Sequence, residues 1–400
     1  MTDPVYLDCN ATTRPSTPVI EEMLDCLRGA WGNPSSTHGP GQAARRVLAD
    51  ARTRVATFLG CTGAELVFTS GATEANHMAL LGALELRLRP GTTAHDGPTG
   101  RARRRLVISS VEHAASLALA ERLRARGQPV DLIPVNRNGE LDLDAAAAVI
   151  RDDVALVSVM GANNETGVLM PTQELAALAH AAGAPLHVDA TQLVGKTTLR
   201  FDASGADLWS VSAHKLGGPK GVGALVVRKG LAWPALFSGR QERVRRGGTE
   251  NLAGIVGFAA AAELTGRTLA MDIAHMRGLQ ARLESGLRRA CPDVHVHGAA
   301  AARLPNTTCL RFGTLDADQV LGKLESAGVV ASSGAACSAS GSQPSHVLVA
   351  MGESTLHARA GVRFSTCRDT STDDIDHAVA AAARVLAPLL QEPQRQPVLP

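Results

Sequence analysis

The sequence predicts an α/β fold built around a mostly parallel β-sheet. Strand-like and helix-like segments alternate between residues 65 and 227, which favours parallel strands joined by helical crossovers. The segment Val154 to Met160 is almost continuously apolar, as in strands that are covered on both faces. Polar residues gather where the apolar segments end, and ligands of open α/β folds bind at that edge of the sheet.

The N-terminal half supplies the predicted sheet. After a short extended piece within residues 4–14, we predict strands at Glu65–Thr69, Leu106–Ser110, Val130–Val135, Val154–Met160, Pro185–Asp189, Asp207–Val211 and Ala224–Val227. Helices are predicted at Ala44–Leu59, from residue 70 onward, from Ala114 onward, at Leu141–Ile150 and at Thr172–Ala182. The small-residue turn at residues 70–74 would offer free amide groups to an anion, although a plain helix cap explains it equally well.

The C-terminal part has a different pattern, which predicts a second domain. A long helix is predicted at about Leu252–Ala290 and a closing helix at Asp373–Leu389. Between them we predict strands at Val294–His297, Thr307–Phe312, near Val329 and at Gly361–Thr366, and a helix at Asp316–Ala327. Residues 332–345 are all small or polar, so we expect a mobile, functional loop there. The tail at residues 391–400 is expected to be flexible.

Composition and charge exclude several classes of protein. The 400 residues are 45% hydrophobic, enough for a large core and about two or three domains. Lys and Arg number 40 against 38 Asp and Glu, which argues against a dedicated nucleic-acid or membrane-surface protein. The one basic cluster, Arg101 to Arg105, is expected to be a solvated loop. No apolar run reaches the length of a membrane span, and the N-terminus does not resemble a signal peptide.

The cysteines indicate a reduced, cytoplasmic chain. Seven of them are scattered without the spacing of metal ligands or of a disulfide framework. We therefore expect no metal site and one reactive thiol. Cys309 and Cys367 lie among apolar residues and are expected to be inert core thiols.

Lys215 lies at a tight junction between two predicted buried strands, within S-A-H-K-L-G-G-P-K-G. A charged amine is costly to bury without a partner, and one solution is a Schiff base with an aldehyde cofactor. Ser212 and His214 beside it offer hydrogen-bond donors to a phosphate. Taken alone, the stretch is also compatible with a surface lysine in a turn.

A series of ordered motifs runs from about Tyr6 to Asp376: Y-L-D-x-N-A-T-T, G-N-P-S-S-x-H, T-S-G-A-T-E-x-N, E-H, N-N-E-T-G, H-V-D-A-T-Q, S-A-H-K-L-G-G-P-K-G, R-G-G-T-E-N, S-S-G-A-A-C-S-A-S, P-S-H-V-L-x-A-M-G and V-R-F-S. Together they resemble the cysteine desulfurases of the class V aminotransferase family, in the group with a long catalytic loop. The resemblance implies a homodimer of pyridoxal-phosphate-dependent fold type I. A large domain at 15–260 would hold a mostly parallel seven-stranded sheet. A smaller α+β C-terminal domain at 1–14 and 261–390 would carry the loop 332–345.

The resemblance also implies an activity. Sulfur would be removed from L-cysteine, leaving L-alanine and a persulfide on Cys337 that passes to a sulfur-acceptor protein. The pathway is open among iron–sulfur cluster assembly, tRNA thiolation, DNA sulfur modification and natural-product sulfur insertion. The alternatives are a selenocysteine lyase, another fold-type-I lyase or aminotransferase, and a silent scaffold. Cys337 argues against a simple transaminase, which needs no nucleophile beyond its lysine.

The same resemblance assigns roles to individual residues. Lys215, Cys337 and His113 would be catalytic, as cofactor anchor and proton carrier, as sulfur nucleophile, and as ring-stacking proton relay. The phosphate would be held by the backbone of Ala72 and by Thr73, Ser212 and His214, with Thr249 reaching the phosphate of the partner subunit. The cofactor ring would be held by Asn164, Asp189 and Gln192. Arg363 would bind the substrate carboxylate beside Asn164, with a structural salt bridge as the alternative for Arg363.

Overall fold

A seven-stranded sheet lies at the centre of the protein, whose computed structural model describes residues 4–86, 103–291, 293–334 and 343–391. The first strand, β1 (Val5–Tyr6), belongs to a separate two-stranded sheet. The next seven strands form the central sheet: β2 (Leu66–Thr69), β3 (Arg105–Ser109), β4 (Val130–Ile133), β5 (Val154–Met160), β6 (Leu186–Asp189), β7 (Leu208–Ser212) and β8 (Gly223–Val227).

The topology of this sheet confirms the predicted fold class. Its strand order is β2-β8-β7-β6-β5-β3-β4. Only β8 runs against its neighbours β2 and β7, and the remaining pairs are parallel. In the register of the parallel strands, Met160 pairs with Asp189, and Asp189 pairs with Ser210. The carboxyl ends of β5, β6 and β7 therefore meet at one edge, where the predicted site residues follow.

Helices connect and cover the strands. In chain order they are α1 (Thr17–Gly29), α2 (Gly39–Leu59), α3 (Ala72–Leu86), α4 (Ala114–Arg124), α5 (Leu143–Val149), α6 (Thr172–Ala181), α7 (Gln241–Val244) and α8 (Leu252–Ala290). Gly60 ends α2 at a φ of 76°, a left-handed conformation that glycine adopts without steric cost. Within the described ranges, every helix is too short or too polar to cross a bilayer.

The C-terminal part forms a smaller mixed unit. It contains β9 (Val294–Val296), β10 (Thr307–Phe312), α9 (Ala317–Ser326), β11 (Val329–Val330), β12 (Ser332–Ser333), α10 (His346–Ala350), α11 (Thr355–Arg359), β13 (Val362–Ser365), α12 (Thr372–Val385) and α13 (Ala387–Gln391). An antiparallel sheet has the order β12-β13-β10-β9, and β1 pairs in parallel with β11. The N-terminal strand thus lies with the C-terminal part of the chain.

Two hydrophobic cores share helix α8. The helix packs against the central sheet through Ala262, and from Leu279 onward it packs against β10 and α12, in a core that includes Leu7. Val347 and Leu348 of α10 pack in the first core. We propose that the change of core inside α8, between Ala262 and Leu279, divides the two domains; the boundary expected from the sequence is residue 260.

The expected solvated loop at the basic cluster is wrong for Arg103 and Arg105, whereas Arg104 between them is exposed. Arg103 is buried and donates to the backbone oxygen of Val154 at 3.2 Å. Arg105 begins β3 and pairs with Asp131 at 2.8 Å and with Asp153 at 3.1 Å. These arginines anchor the start of the strand, because each is bonded to a neighbouring part of the sheet. Residues 90–102 lie outside the described ranges.

The small-residue segment at residues 332–345 begins inside a sheet rather than in a loop. Ser332 and Ser333 form β12 and pair with Arg363 and Val362 of β13. Residues 335–342, which include Cys337, and the tail at 392–400 lie outside the described residues.

Candidate active site

A cleft of about 500 Å³ opens at the carboxyl edge of the central sheet. Its walls come from the ends of β5, β6 and β7, the start of α3, the turn after β1, and β13. The predicted site residues that line it are Ala72, Thr73, His113, Asn164, Asp189, Gln192, Ser212, His214, Lys215 and Arg363. Side chains from distant parts of the sequence therefore meet in one cavity.

Two predicted residues are not placed in this cleft. Thr249 is exposed on the loop between α7 and α8. Cys337 lies outside the described residues, but Gly334, three positions before it, lines the cleft. The described chain therefore reaches the cleft just before the segment that carries Cys337.

Lys215 ends a single 3₁₀ turn, Ala213–Lys215, that directly follows β7. Its Nζ donates to the backbone oxygen of Asn10 at 2.6 Å and to that of Ala11 at 2.9 Å. Both carbonyls belong to the turn after β1, so the amine is held at the point where the two parts of the protein meet.

Asp189 is a buried carboxylate at the end of β6. Its Oδ2 accepts a hydrogen bond from Asn76 Nδ2 at 2.6 Å, and its Oδ1 accepts one from the Thr191 backbone N–H at 3.0 Å. These two donors fix the direction of the carboxylate in the cleft. Sequence reasoning missed Asn76, although it is the last residue of the T-S-G-A-T-E-x-N motif.

The start of α3 faces the end of β7 across the cleft. Its first backbone N–H groups have no partner within the helix, so they are available to an anion. Gly223 on β8 packs closely against the turn that precedes α3. A Cβ at Gly223 would lie 2.7 Å from the Cα of Gly71 in that turn. Glu74 closes the turn, because it accepts from the Ser70 N–H and from Arg246, both at 2.8 Å.

The lining of the cleft carries more cationic than acidic side chains, the acidic ones being Glu74 and Asp189. Lys215, Lys220 and Arg363 line it. Burial, reinforced by Lys215 and other nearby lysines, lowers the pKa of His214 to about 4, so this ring is neutral near pH 7. Burial and then the charge of Lys215 lower the pKa of Lys196 to about 7. Such a concentration of cationic groups suits an anionic ligand such as a phosphate.

Lys196 and Asn10 form a buried network that sequence reasoning missed. Lys196 Nζ donates to Asn10 Oδ1 at 3.1 Å and to Gln192 Oε1. Gln192 Nε2 donates to the backbone oxygen of Asn10 at 3.1 Å. The network fixes the Gln192 amide before a ligand binds. The available signals were the four-residue spacing from Gln192 to Lys196 and the Asn of Y-L-D-x-N-A-T-T.

His113 caps helix α4 and lines the cleft. Its Nδ1 accepts from the Ala115 N–H at 3.2 Å, so in the neutral ring the proton is on Nε2. The preceding residue, Glu112, is fully buried and accepts from Ser109 Oγ at 2.6 Å and from the Met160 N–H at 2.7 Å. Burial raises the pKa of Glu112 to about 8, because these hydrogen bonds offset the desolvation only in part.

Arg363 has the salt bridge that was the alternative to substrate binding, and it also has a donor without a partner. Nη2 pairs with Asp8 at 2.6 Å, and Nη1 donates to the backbone oxygen of Asn164 at 3.0 Å. The side chain is buried, and its Nε has no hydrogen-bond partner among the described residues. The ion pair therefore holds the guanidinium while leaving Nε for a ligand.

The six described cysteines are all free thiols. Cys309 is fully buried, and burial raises its pKa, which fits a packed thiol. Cys367 differs from the expectation of an inert core thiol. It is partly exposed after β13, and a hydrogen bond from the Cys9 thiol outweighs burial and lowers its pKa to about 6. Cys367 borders a separate hollow next to Lys215 rather than the main cleft.

Comparisons with known proteins agree over nearly the whole chain. The family described as Aminotransferase class-V matches residues 5–378. A cysteine desulfurase of Cereibacter sphaeroides is 43% identical over 391 residues, which cover 97% of this chain and 96% of that one. A solved NifS-like protein has a TM-score of 0.87 and 33% identity, over 96% of this chain and 99% of that one. A structure of SspA in complex with cysteine has a TM-score of 0.78 and 29% identity, over 92% and 99%.

Proposed function

The chain belongs to the aminotransferase class-V family, and we infer that it is a cysteine desulfurase, which takes sulfur from L-cysteine and releases L-alanine. One observation carries the inference: Lys215, Asp189 and Arg363 line a single cleft. Gly334, three residues before Cys337, lines the same cleft. The similarity to SspA, whose structure contains cysteine, supports the substrate class.

We propose pyridoxal 5'-phosphate as the cofactor, because the donors of the cleft match its groups. The first turn of α3, with Ala72 and Thr73, faces Ser212 and His214 and offers donors to the phosphate. Lys215 supplies the amine for the aldehyde. Asp189 supplies the carboxylate for the ring nitrogen, and Asn164 and Gln192 supply amides for the ring hydroxyl. When bound, this cofactor supplies a ring that withdraws electrons from the substrate α-carbon.

The residues of the chain bind the substrate, transfer protons and accept the sulfur. Arg363 Nε, together with Asn164, binds and orients the substrate carboxylate. Lys215 Nζ takes and returns protons near the substrate α-carbon, and His113 Nε2 holds a proton at the face of the cleft. Cys337 Sγ, as a thiolate, forms an S–S bond to the substrate sulfur while the C–S bond of the substrate breaks.

The overall transfer balances without an external oxidant. The enzyme thiol and L-cysteine become an enzyme persulfide and L-alanine, with sulfur moving from carbon to Cys337. A reductant or an acceptor protein then removes the outer sulfur. We propose an acceptor protein as the physiological partner, in iron–sulfur cluster assembly or another pathway that uses persulfide sulfur.

We also propose a homodimer in the cytoplasm. Helix α1 exposes Ile20, Leu24 and Leu27, and Trp31 just beyond its end is 72% exposed. Their spacing places them on one helical face, which a second copy of the chain would cover. The exposed Thr249 would then serve the phosphate of the partner subunit. The free thiols support a reducing compartment.

The products of the reaction test this function. Purified holoenzyme is incubated with L-cysteine and a reductant, and the amounts of L-alanine and sulfide are measured. We expect equal amounts of the two. Pyruvate in place of alanine, or no product, would contradict the proposal. A parallel reaction with L-selenocysteine distinguishes a selenocysteine lyase, which would turn over that substrate alone.

A further inference from the structure

Two histidines and a glutamate meet in the C-terminal part of the protein, outside the cleft. His295 lies in β9 and His297 directly follows it, so the two residues face the same side of the strand. Their rings meet edge to face, with centroids 4.9 Å apart. Glu353 comes from the turn between α10 and α11. One ligand atom from each of the three side chains lies within 4.8 Å of the others.

His297 is the member that requires an explanation. Its side chain is only 1% exposed, and neither Nδ1 nor Nε2 has a hydrogen-bond partner among the described residues. Nδ1 lies 3.3 Å from Glu353 Oε1 without the alignment of a hydrogen bond. Buried polar atoms are nearly always paired. A buried ring with two unpaired nitrogens therefore indicates a missing partner.

The Glu353 carboxylate supplies a negative charge beside His297, and imidazole nitrogens are common metal ligands. Arg311 lies opposite His295 in the sheet and adds a positive charge, but Asp293 lies 4.0 Å from its Nη1.

We propose that His295, His297 and Glu353 bind one divalent transition-metal ion, with Zn²⁺ as the best match. Two imidazoles and one carboxylate form a typical zinc ligand set. With zinc–ligand bonds of about 2.0–2.1 Å, the ligand atoms of a tetrahedral site lie roughly 3.3 Å apart. The His297–Glu353 pair has this separation, at 3.3 Å. The third ligand atom lies within 4.8 Å of the other two, so it would move closer to complete the set. The sequence had predicted no metal site.

His357 positions the carboxylate. Its Nδ1 lies 3.2 Å from Glu353 Oε2, the oxygen that is not facing His297. A neighbour of this kind orients a metal ligand from outside the coordination shell. His295 is exposed, so water can fill the fourth position.

The position of the site suggests a structural role. The metal would join the end of β9 to the turn before α11. That turn belongs to residues 343–359, which follow the segment carrying Cys337. The ion would therefore fix the C-terminal attachment of that segment to the four-stranded sheet.

Zinc counting on the holoenzyme tests the proposal. All proteins carry Cys337→Ser, which removes that thiol as a competing ligand. They are equilibrated with chelator-buffered Zn²⁺, and the bound metal is counted by mass spectrometry. We expect about one zinc per chain. His297→Asn, Glu353→Gln and His295→Asn should each weaken binding at least about tenfold. His377→Asn is the matched control, because His377 is an exposed histidine of α12 that contacts the backbone oxygen of Ala327.

Several outcomes would overturn the proposal. Folded protein that binds no zinc, or folded variants at His295 and Glu353 that retain it, would refute the site. X-ray absorption that shows sulfur ligands would move the metal to Cys367 or another thiol. His295 and Glu353 are both at least partly exposed, so their variants remain informative if His297→Asn does not fold. The zinc count does not depend on desulfurase activity, so either proposal can fail alone.

Discussion

The cleft and the histidine cluster both gather polar side chains, but they differ in how those side chains are bonded. In the cleft, Asp189 and Gln192 already hold hydrogen bonds from neighbouring residues. In the cluster, both ring nitrogens of His297 lack partners among the described residues. The acidic and amide groups of the cleft are therefore fixed before a ligand binds, with Arg363 Nε as an unpaired donor, whereas both nitrogens of the central ring of the cluster are unpaired.

The difference follows from what each region does. Fixed donors around a reacting group need no reorganisation as charge develops, so an active site benefits from groups that are already bonded. A buried nitrogen without a partner destabilises the fold until something binds it. We expect substitutions in the cleft to change catalysis and substitutions in the cluster to change metal content.

Lys215→Ala should have the largest effect. We expect the visible absorption of the lysine-bound cofactor to disappear and desulfurase activity to fall by at least roughly 10²–10⁴-fold, because an amine that carries protons is lost. Lys229→Ala is the matched control, since Lys229 is an exposed lysine in the turn after β8. An unchanged spectrum in Lys215→Ala would show that this residue does not hold the cofactor. The cleft would then not be the preorganised active site that the comparison with the histidine cluster assumes.

Cys337→Ser should abolish sulfide release from L-cysteine while leaving the cofactor spectrum intact. Cys367→Ser is the critical control, because Cys367 has the lowered pKa of about 6 and is the described thiol that most readily forms a thiolate. We expect it to retain most of the activity, because Cys367 borders a different hollow. The reverse pattern would transfer the nucleophile's role to Cys367.

Glu112→Gln should have the smallest effect, and it tests an unpaired buried group next to His113 of the cleft. Glu112 Oε2 is buried and has no hydrogen-bond partner among the described residues. Its pKa is raised from 4.5 to about 8, so the folded protein keeps a proton that the unfolded chain releases. The stabilisation from that proton is complete below the unfolded pKa and is lost as the pH rises towards 8. The slope is at most about 1.4 kcal/mol per pH unit.

Urea unfolding of the apoprotein at several pH values measures this effect. The free energy of unfolding of Glu112→Gln should fall less steeply with rising pH than that of the wild type. Glu325→Gln, which replaces an exposed glutamate in α9, should keep the wild-type slope. Equal slopes in all three proteins would show that Glu112 is ionised in the folded state.

Most of the central sheet could be predicted because its strands are apolar on both faces. Strand β5 begins at Val154 and ends at Met160, as predicted. Helix α1 was missed although Ile20, Leu24 and Leu27 recur at helical spacing. Only Val19 and Cys26 of this helix are buried, so most of its apolar residues lie outside the core. Short elements such as β12 depend on pairing with β13, which no local pattern reveals.

The candidate site was predictable where chemistry follows a strand, as for Lys215 after β7 and Asp189 at the end of β6. Asn10 and Lys196 were missed because their roles arise from distant contacts; Asn10 and Lys196 are 186 positions apart. The histidine cluster was missed for the same reason: His297 and Glu353 are distant in sequence and meet only when β9 and the α10–α11 turn pack together. Spacing rules for metal sites depend on ligands that are close in sequence.

Peptide mapping of the persulfide tests the central claim most directly. The holoenzyme is treated with L-cysteine, its thiols are alkylated without reduction, and the masses of the digested peptides are measured by mass spectrometry. We predict the mass of one additional sulfur atom on the peptide that contains Cys337, in the wild type and in Cys367→Ser. An additional sulfur on Cys367 instead, or on no cysteine while alanine accumulates, would contradict the account.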